Sequence, residues 1–176
     1  MLRFVLALVA AAQFAVALPK HKIPLPFSSS THNVQFCVRP EEFVVKNFQI
    51  WTPKPGNNQS TTIDFDYADE KVMPYIITKC HFNETSVNVG PKGSTPRYAC
   101  ENKLVEFIWS EGTLTLIERV CPLEDQNVPY EAAGWVEPNL QCSTSTKNDS
   151  RGAGHACSAK PSVLAAEFTS LEPTPN

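Results

Sequence analysis

After residue 17 the chain contains no apolar run long enough to span a bilayer, no cluster of basic residues, and no segment with apolar residues at three- and four-residue spacing. The first absence leaves no membrane span, and with no hydrophobic tail at the C-terminus there is no signal for a lipid anchor. The second removes the electrostatic footprint of a protein that binds nucleic acid or an anionic membrane; 15 basic residues face 18 acidic ones, for a net charge of −3. The third argues against amphipathic helices. Glycine is scarce as well, seven residues against 15 prolines, so proline, asparagine and serine must make most of the turns. Signatures of chemistry are missing too. There is no G-x-S-x-G nucleophile elbow, no C-x-x-C or H-x-x-x-H metal spacing, and Gly90-Pro91-Lys92-Gly93 lacks the strand and helix that a phosphate cradle requires.

What the chain does have begins with its first 17 residues. Arg3 precedes an apolar run broken only by Gln13 and ending in Ala15-Val16-Ala17, small residues at both positions that a signal peptidase reads. Residues 1–17 therefore read as a signal peptide, and its removal takes Arg3 away and shifts the net charge by one unit further negative. Residues 18–34, with three prolines and a serine run, read as a flexible lead-in. A domain over 35–171 and a disordered tail over 172–176 complete the organisation.

All six cysteines, Cys37, Cys80, Cys100, Cys121, Cys142 and Cys157, lie beyond the signal peptide. An even count in a secreted chain reads as three disulfides, and six cysteines allow about 15 connectivities that counting does not resolve. Zinc is the alternative, because His81 adjoins Cys80 and His155 lies two residues before Cys157. An oxidising compartment favours disulfides, so neither a metal nor any other cofactor is expected.

The segments "VQFCV", "EFVVKNFQIW", "TTIDFDYA", "YIITKCHF", "RYAC", "LVEFIW", "TLTLIERVC", "YEAAGWV" and "SVLAAEFTSL" are short, rich in β-branched and aromatic residues, and bounded by turn formers. They predict an all-β fold. Ile63, Phe65 and Tyr67 fall on one face against Thr62, Asp64 and Asp66; Val105, Phe107 and Trp109 alternate with Glu106 and Ile108 in the same way. Ser110-Glu111-Gly112 reads as a three-residue hairpin connection with Gly112 in the left-handed region. So many short strands leave exposed edges in one flat sheet, which favours a closed barrel, with a sandwich as the alternative. Sequons at Asn58, Asn83 and Asn148 stand in polar, loop-like contexts and mark surface.

Candidate chemistry is sparse. Glu131 and Trp135 share a strand face, but Glu131 and Glu137 are ~20 Å apart along a strand, beyond the ~5 to 9.5 Å that a glycosidase pair needs. Glu118, or another neighbour across the sheet, is the remaining source of a partner for Glu131. Trp135 reads as core more readily than as a sugar-stacking platform. Asp64 and Asp66 share a face at ~6.6 Å, yet a hard cation wants more oxygens than two, so they read as strand surface. His21 and His32 fall in the lead-in. No catalytic residue is expected, and Trp51, Trp109 and Trp135 stand as the candidate binding surface.

The order of features resembles the major Alternaria allergen family, small secreted fungal proteins that include allergens and elicitors of plant defence. The resemblance runs from about Phe43 to Leu171 through "FVVKNFQIWTPKPG", "IDFDYAD", "ITKCHF", "RYACEN", "VEFIWSEGTLTLIE" and "VPYEAAGWVEPNLQC", with Cys157 where the last cysteine is expected. It implies a β-barrel with Cys80 bonded to Cys100 and Cys142 to Cys157. It also implies an N-terminal cysteine able to link two subunits, the place Cys37 occupies. Cys121 departs from the pattern and offers Cys37 a partner within the chain, which leaves monomer and disulfide-linked homodimer both open. The "SVNVGPKGST" loop makes the Cys80–Cys100 segment longer than the family's. In this light "YEAAGWVEPNLQC" is a scaffold strand delivering Cys142, with Ala132 and Gly134 small enough to let a neighbour approach closely. The function implied is that of a non-enzymatic extracellular protein that binds a host protein or small plant molecule. A cell-wall or carbohydrate-binding module is the alternative.

Overall fold

A computed structural model describes residues 39–72, 74–121, 130–146 and 150–175. The expected signal peptide, lead-in and "VQFCV" strand, together with Cys37 and Asn148, lie outside the described residues. Among the described residues ten strands follow one another, every pairing antiparallel: β1 (Glu42–Pro53), β2 (Thr62–Asp69), β3 (Ile76–Phe82), β4 (Tyr98–Ala99), β5 (Val105–Ser110), β6 (Thr113–Val120), β7 (Tyr130–Val136), β8 (Leu140–Ser145), β9 (Gly154–Ala159) and β10 (Val163–Pro173). The order β3-β2-β1-β10-β7-β6-β5-β4 makes a nearly closed eight-stranded barrel, and β9 pairs with both β1 and β8.

The period of two puts the expected side chains inside. Ile63, Phe65, Tyr67, Val105 and Phe107 are buried together with Phe43, Val45, Phe48, Leu114, Leu116 and Phe168. Phe65 meets Phe107 edge-on at 5.1 Å and Phe43 meets Phe168 at 5.0 Å, the tilted geometries that aromatic quadrupoles prefer. Each such ring contributes ~1.5 to 3 kcal/mol by burial.

At the seam, β3 is held to the start of the β4–β5 turn by the Cys80–Cys100 disulfide, Cα to Cα 4.2 Å. Glu101 N donates to Lys79 O at 2.9 Å, and Asn102 N donates to Thr78 Oγ1 at 2.9 Å. These contacts cover part of the β3 edge that an open sheet would expose.

β1 is long enough to change partners. Glu42–Lys46 pairs with β10, Gln49–Pro53 pairs with β9, and the register against β2 shifts between Lys46 and Gln49. Asn47 sits in that bulge at φ 57°, a left-handed conformation that asparagine tolerates better than most residues. The β8–β9 ribbon is held by a disulfide between the directly opposed Cys142 and Cys157. Cys121 is also disulfide-bonded, while Cys37, its expected partner, lies outside the described residues.

Several expectations need correction. "LQCSTS" and "GHACSA" are strands that hydrophobic alternation could not reveal, because β8 is mostly exposed and carries almost no apolar period. Ser110 pairs with Thr113, so the β5–β6 connection has two residues, Glu111 and Gly112, at φ 52° and 85°. Two successive positive φ values suit a type I′ turn, whose twist matches the flanking strands. The last strand continues past Leu171 through Glu172 and Pro173, which pair with Glu131 and Tyr130. The disordered tail expected from residue 172 is therefore ordered at its start by β7.

Candidate functional site

The tryptophans separate. Trp51 is only 3% exposed, with the Arg151 guanidinium 5.4 Å from its ring centroid. A Cβ on Gly154 would stand 2.7 Å from the Trp51 indole, so β9 lies over that ring only because residue 154 is glycine. Trp109 packs partly buried against Phe48 at 5.1 Å, on the inner face with Val105 and Phe107. Trp135 alone is open, 54% exposed on the outer face of β7, which corrects its expected place in the core. Its neighbour Gly134 is inward and tight: a Cβ there would fall on the Glu167 carbonyl and come within 2.8 Å of the Phe43 ring. That contact makes the small residue a requirement of the β7–β10 pairing.

The carboxylates also separate by face. Glu118 points into the barrel, 1% exposed, and accepts a 2.5 Å hydrogen bond from the Tyr67 hydroxyl. Burial pushes its carboxyl up to about 7, against the lowering effect of that bond. Asp69 is buried beside this pair and accepts from Lys71 N at 2.7 Å; burial raises its pKa also. Glu131 belongs to the outer face, because Arg119 rather than Glu118 stands opposite it on β6. The two glutamates therefore cannot flank one sugar.

Glu131 instead joins a cluster. Strand alternation sends Glu106 of β5, Arg119 of β6 and Glu131 of β7 outward together, and Arg97, just before β4, reaches across them. Arg97 Nη1 donates to Glu131 Oε2 at 2.7 Å and lies 3.9 Å from Glu106 Oε2. Arg119 Nη2 donates to Glu106 Oε1 at 2.7 Å, with its Nε 3.7 Å from Glu131 Oε1. The Glu106 side chain is 3% exposed and that of Glu131 8%, well below a surface ion pair. Burial is the main reason the Glu106 carboxyl sits above its ordinary pKa, and the Arg119 charge pulls the other way.

The segment over this cluster is the long Cys80–Cys100 connection. Asn88 Oδ1 accepts from Gly90 N and Arg97 N, each at 2.9 Å, and Val89 N donates to Arg97 O at 2.9 Å, which folds the loop back on itself. Gly90 lies against the Arg97 stem, where a Cβ would come within 2.8 Å. Val89, Pro91 and Pro175 complete a recess of about 230 Å³ over the four charges. Among the described residues no serine, cysteine, threonine, histidine or lysine lines it, so those residues offer hydrogen bonds and no ready nucleophile.

A second recess, about 410 Å³, is larger and is lined by residues of β1, β2 and β3 with Glu101, four of which pair with one another. There His81 Nδ1 is 2.5 Å from Asp64 Oδ1, and Asn47 Nδ2 donates to Asp66 Oδ2 at 2.8 Å. Asp64 and Asp66 thus serve separate partners. Asn58 is exposed, and the half-buried Asn83 accepts from Thr85 N at 2.9 Å.

Arg97, Glu106 and Arg119 escape the sequence reading. The signal was available: once Glu111-Gly112 fixes the hairpin register, Glu106 and Arg119 must fall diagonally adjacent on one face.

No family model matches the chain, and no curated protein does. Among solved structures, it is similar to a crystal structure of the Alternaria alternata allergen Alt a 1 at 12% identity, covering 78% of this chain and 92% of that one, with a TM-score of 0.51. A second crystal structure of the Alternaria alternata major allergen Alt a 1 matches at 12% identity, covering 77% of this chain and 95% of that one, with a TM-score of 0.49. The chain thus has an Alt a 1-like β-barrel fold.

Proposed function

We propose that this chain is a secreted, non-enzymatic, allergen- and elicitor-like protein that binds a host protein or small plant molecule outside the cell. The observation that carries this reading is Trp135. A large indole left 54% exposed, on a strand paired along both edges, is a rigid aromatic anchor of the kind that dominates recognition surfaces. The supporting features are the signal-like first 17 residues, disulfides suited to an oxidising compartment, and the allergen-like barrel. Recognition would use the outer face of β5–β7 and the loop above it, held on a stapled scaffold.

Infiltration of purified residues 18–176 into leaves, scored for oxidative burst and cell death, tests this reading. A response lost on reduction and alkylation supports recognition of the folded surface, and no response to the native protein contradicts it. Trp135 also favours a second reading, a cell-wall or carbohydrate-binding module, now resting on one open platform because Trp51 is buried and Trp109 is partly buried against the core. Retention on chitin or glucan that disappears in Trp135→Ala supports this alternative; flow-through of the unaltered protein removes it.

A further inference from the structure

Three of the six large apolar side chains that stay exposed among the described residues, Tyr75, Ile77 and Val163, stand on or beside one part of the barrel's outer face. The register shows what lies between them. Ile77 of β3 pairs with Ala68 of β2, Ala68 with Val44 of β1, and Val44 with Ala165 of β10. Alternation turns all four outward, because Ile76, Tyr67, Phe43 and Val45 beside them are buried, and Leu164 and Ala166 pack against the core. The result is an apolar row four strands wide. Ile77 is 68% exposed, Ala165 is exposed and Val44 is half-buried. An antiparallel sheet face that meets only water carries polar residues in such places.

The two flanks of the row differ in charge. Two residues along on one side stand Lys79, Asp66, Lys46 and Val163, again in register, with Asp66 Oδ2 accepting from Asn47 Nδ2 at 2.8 Å. On the other side Glu42 of β1 is paired with Glu167 of β10, and Lys71 Nζ lies 3.2 Å from Glu42 Oε1. Even with Asp66 and Lys71 counted, the first flank is net positive and the second net negative.

We propose that this row is the contact surface of a non-covalent homodimer, in which two copies stack it face to face about a two-fold axis running along the row. The flanks select both the partner and the axis. An axis parallel to the strands would set each flank against itself, glutamates on glutamates and lysines on lysines. An axis along the row sets each flank against the opposite one, so Glu42 faces the partner's Lys46, and Glu167 lies one strand from that lysine. Apolar residues meet apolar residues in both cases, and charge decides between them. A second copy of the chain supplies both halves of the match.

Size makes the association weak. Three rows across four strands cover roughly 400 Å², about half of the ~800 Å² per partner of a standard interface, so the dissociation constant should be on the order of 0.1 mM. Trp135 lies on β7, outside the row, so the dimer forms whether or not that indole binds a host molecule.

The direct test is sedimentation equilibrium of residues 18–176 at concentrations on either side of that value, with ¹⁵N amide spectra over the same range. The mass should rise from one chain to two, and concentration-dependent shifts should gather at Val44, Ala68, Ile77 and Ala165. Ile77→Lys alters a side chain already open to water, so it should leave the melting temperature unchanged and weaken association at least about tenfold. Lys46→Glu should weaken it too, and adding Glu42→Lys should restore it, because the double exchange reverses both members of the facing pair. A chain that stays monomeric throughout, unchanged association in a folded Ile77→Lys, a double exchange that recovers nothing, or shifts centred on β7 overturns the proposal. A doubled mass that survives denaturing electrophoresis without reductant is a covalent dimer and overturns it as well. If the variants do not fold, the wild-type amide map still decides.

Discussion

Gly134 and Glu118 lie on adjacent strands and constrain the barrel in different ways. At Gly134 the space for a methyl group is already filled by the Glu167 carbonyl and the Phe43 ring, and the carbonyl cannot rotate away without breaking strand pairing. Gly134→Ala should therefore destabilise the protein by ~1 to 3 kcal/mol, read from chemical denaturation. Glu118 provides a pH dependence. Its carboxyl is raised from 4.5 to about 7, so the folded state takes up a proton that the unfolded chain has lost. Stability should be fullest below about pH 4.5 and decline as pH rises through about 7, and the raised Asp69 and Glu106 carboxyls act in the same direction. The loss attributable to Glu118 is ~3 kcal/mol, and Glu118→Gln should flatten this part of a stability profile measured from pH 4 to 8. The sequence made Glu131 visible as a charge on a strand. Period two also puts Glu118 on the face of Leu114 and Leu116, but it could not show that Tyr67 meets it across the core, because that contact joins strands far apart in the sequence.

Among the elements, legibility followed hydrophobic period. β2 and β5 alternate clearly and were readable, whereas β8 and β9 are not, because they form a ribbon stitched by backbone pairing and a disulfide. Trp51 illustrates the consequence. It looked available until β9 placed Gly154 against its indole. The same ribbon predicts that replacing Cys142 and Cys157 with serine frees a loop of separation 15, at a cost of ~3 kcal/mol in the chain-entropy picture. Hydrogen exchange should then quicken first in β8 and β9, while β6 and β7 retain their protection. Uniform loss of protection would mean that the ribbon is integral to the barrel's cooperative unit.

At the scale of the whole molecule, the all-β class and the barrel were legible because many short amphipathic strands need edge protection. The charge cluster was legible only in its Glu106–Arg119 half, which the β5–β6 hairpin brings together; Arg97 and Glu131 join it only when β4 and β7 align. Among the described residues the large exposed aromatics are Trp135 on β7 and Tyr75, 59% exposed, just before β3. Comparing these two positions separates recognition by the β7 face from a general effect of surface apolarity. The decisive measurement is the leaf response to Trp135→Ala and Tyr75→Ala, each matched to the unaltered protein in circular dichroism and melting temperature. Trp135→Ala should abolish the response while Tyr75→Ala retains it; a full response from Trp135→Ala would contradict recognition through the β7 face.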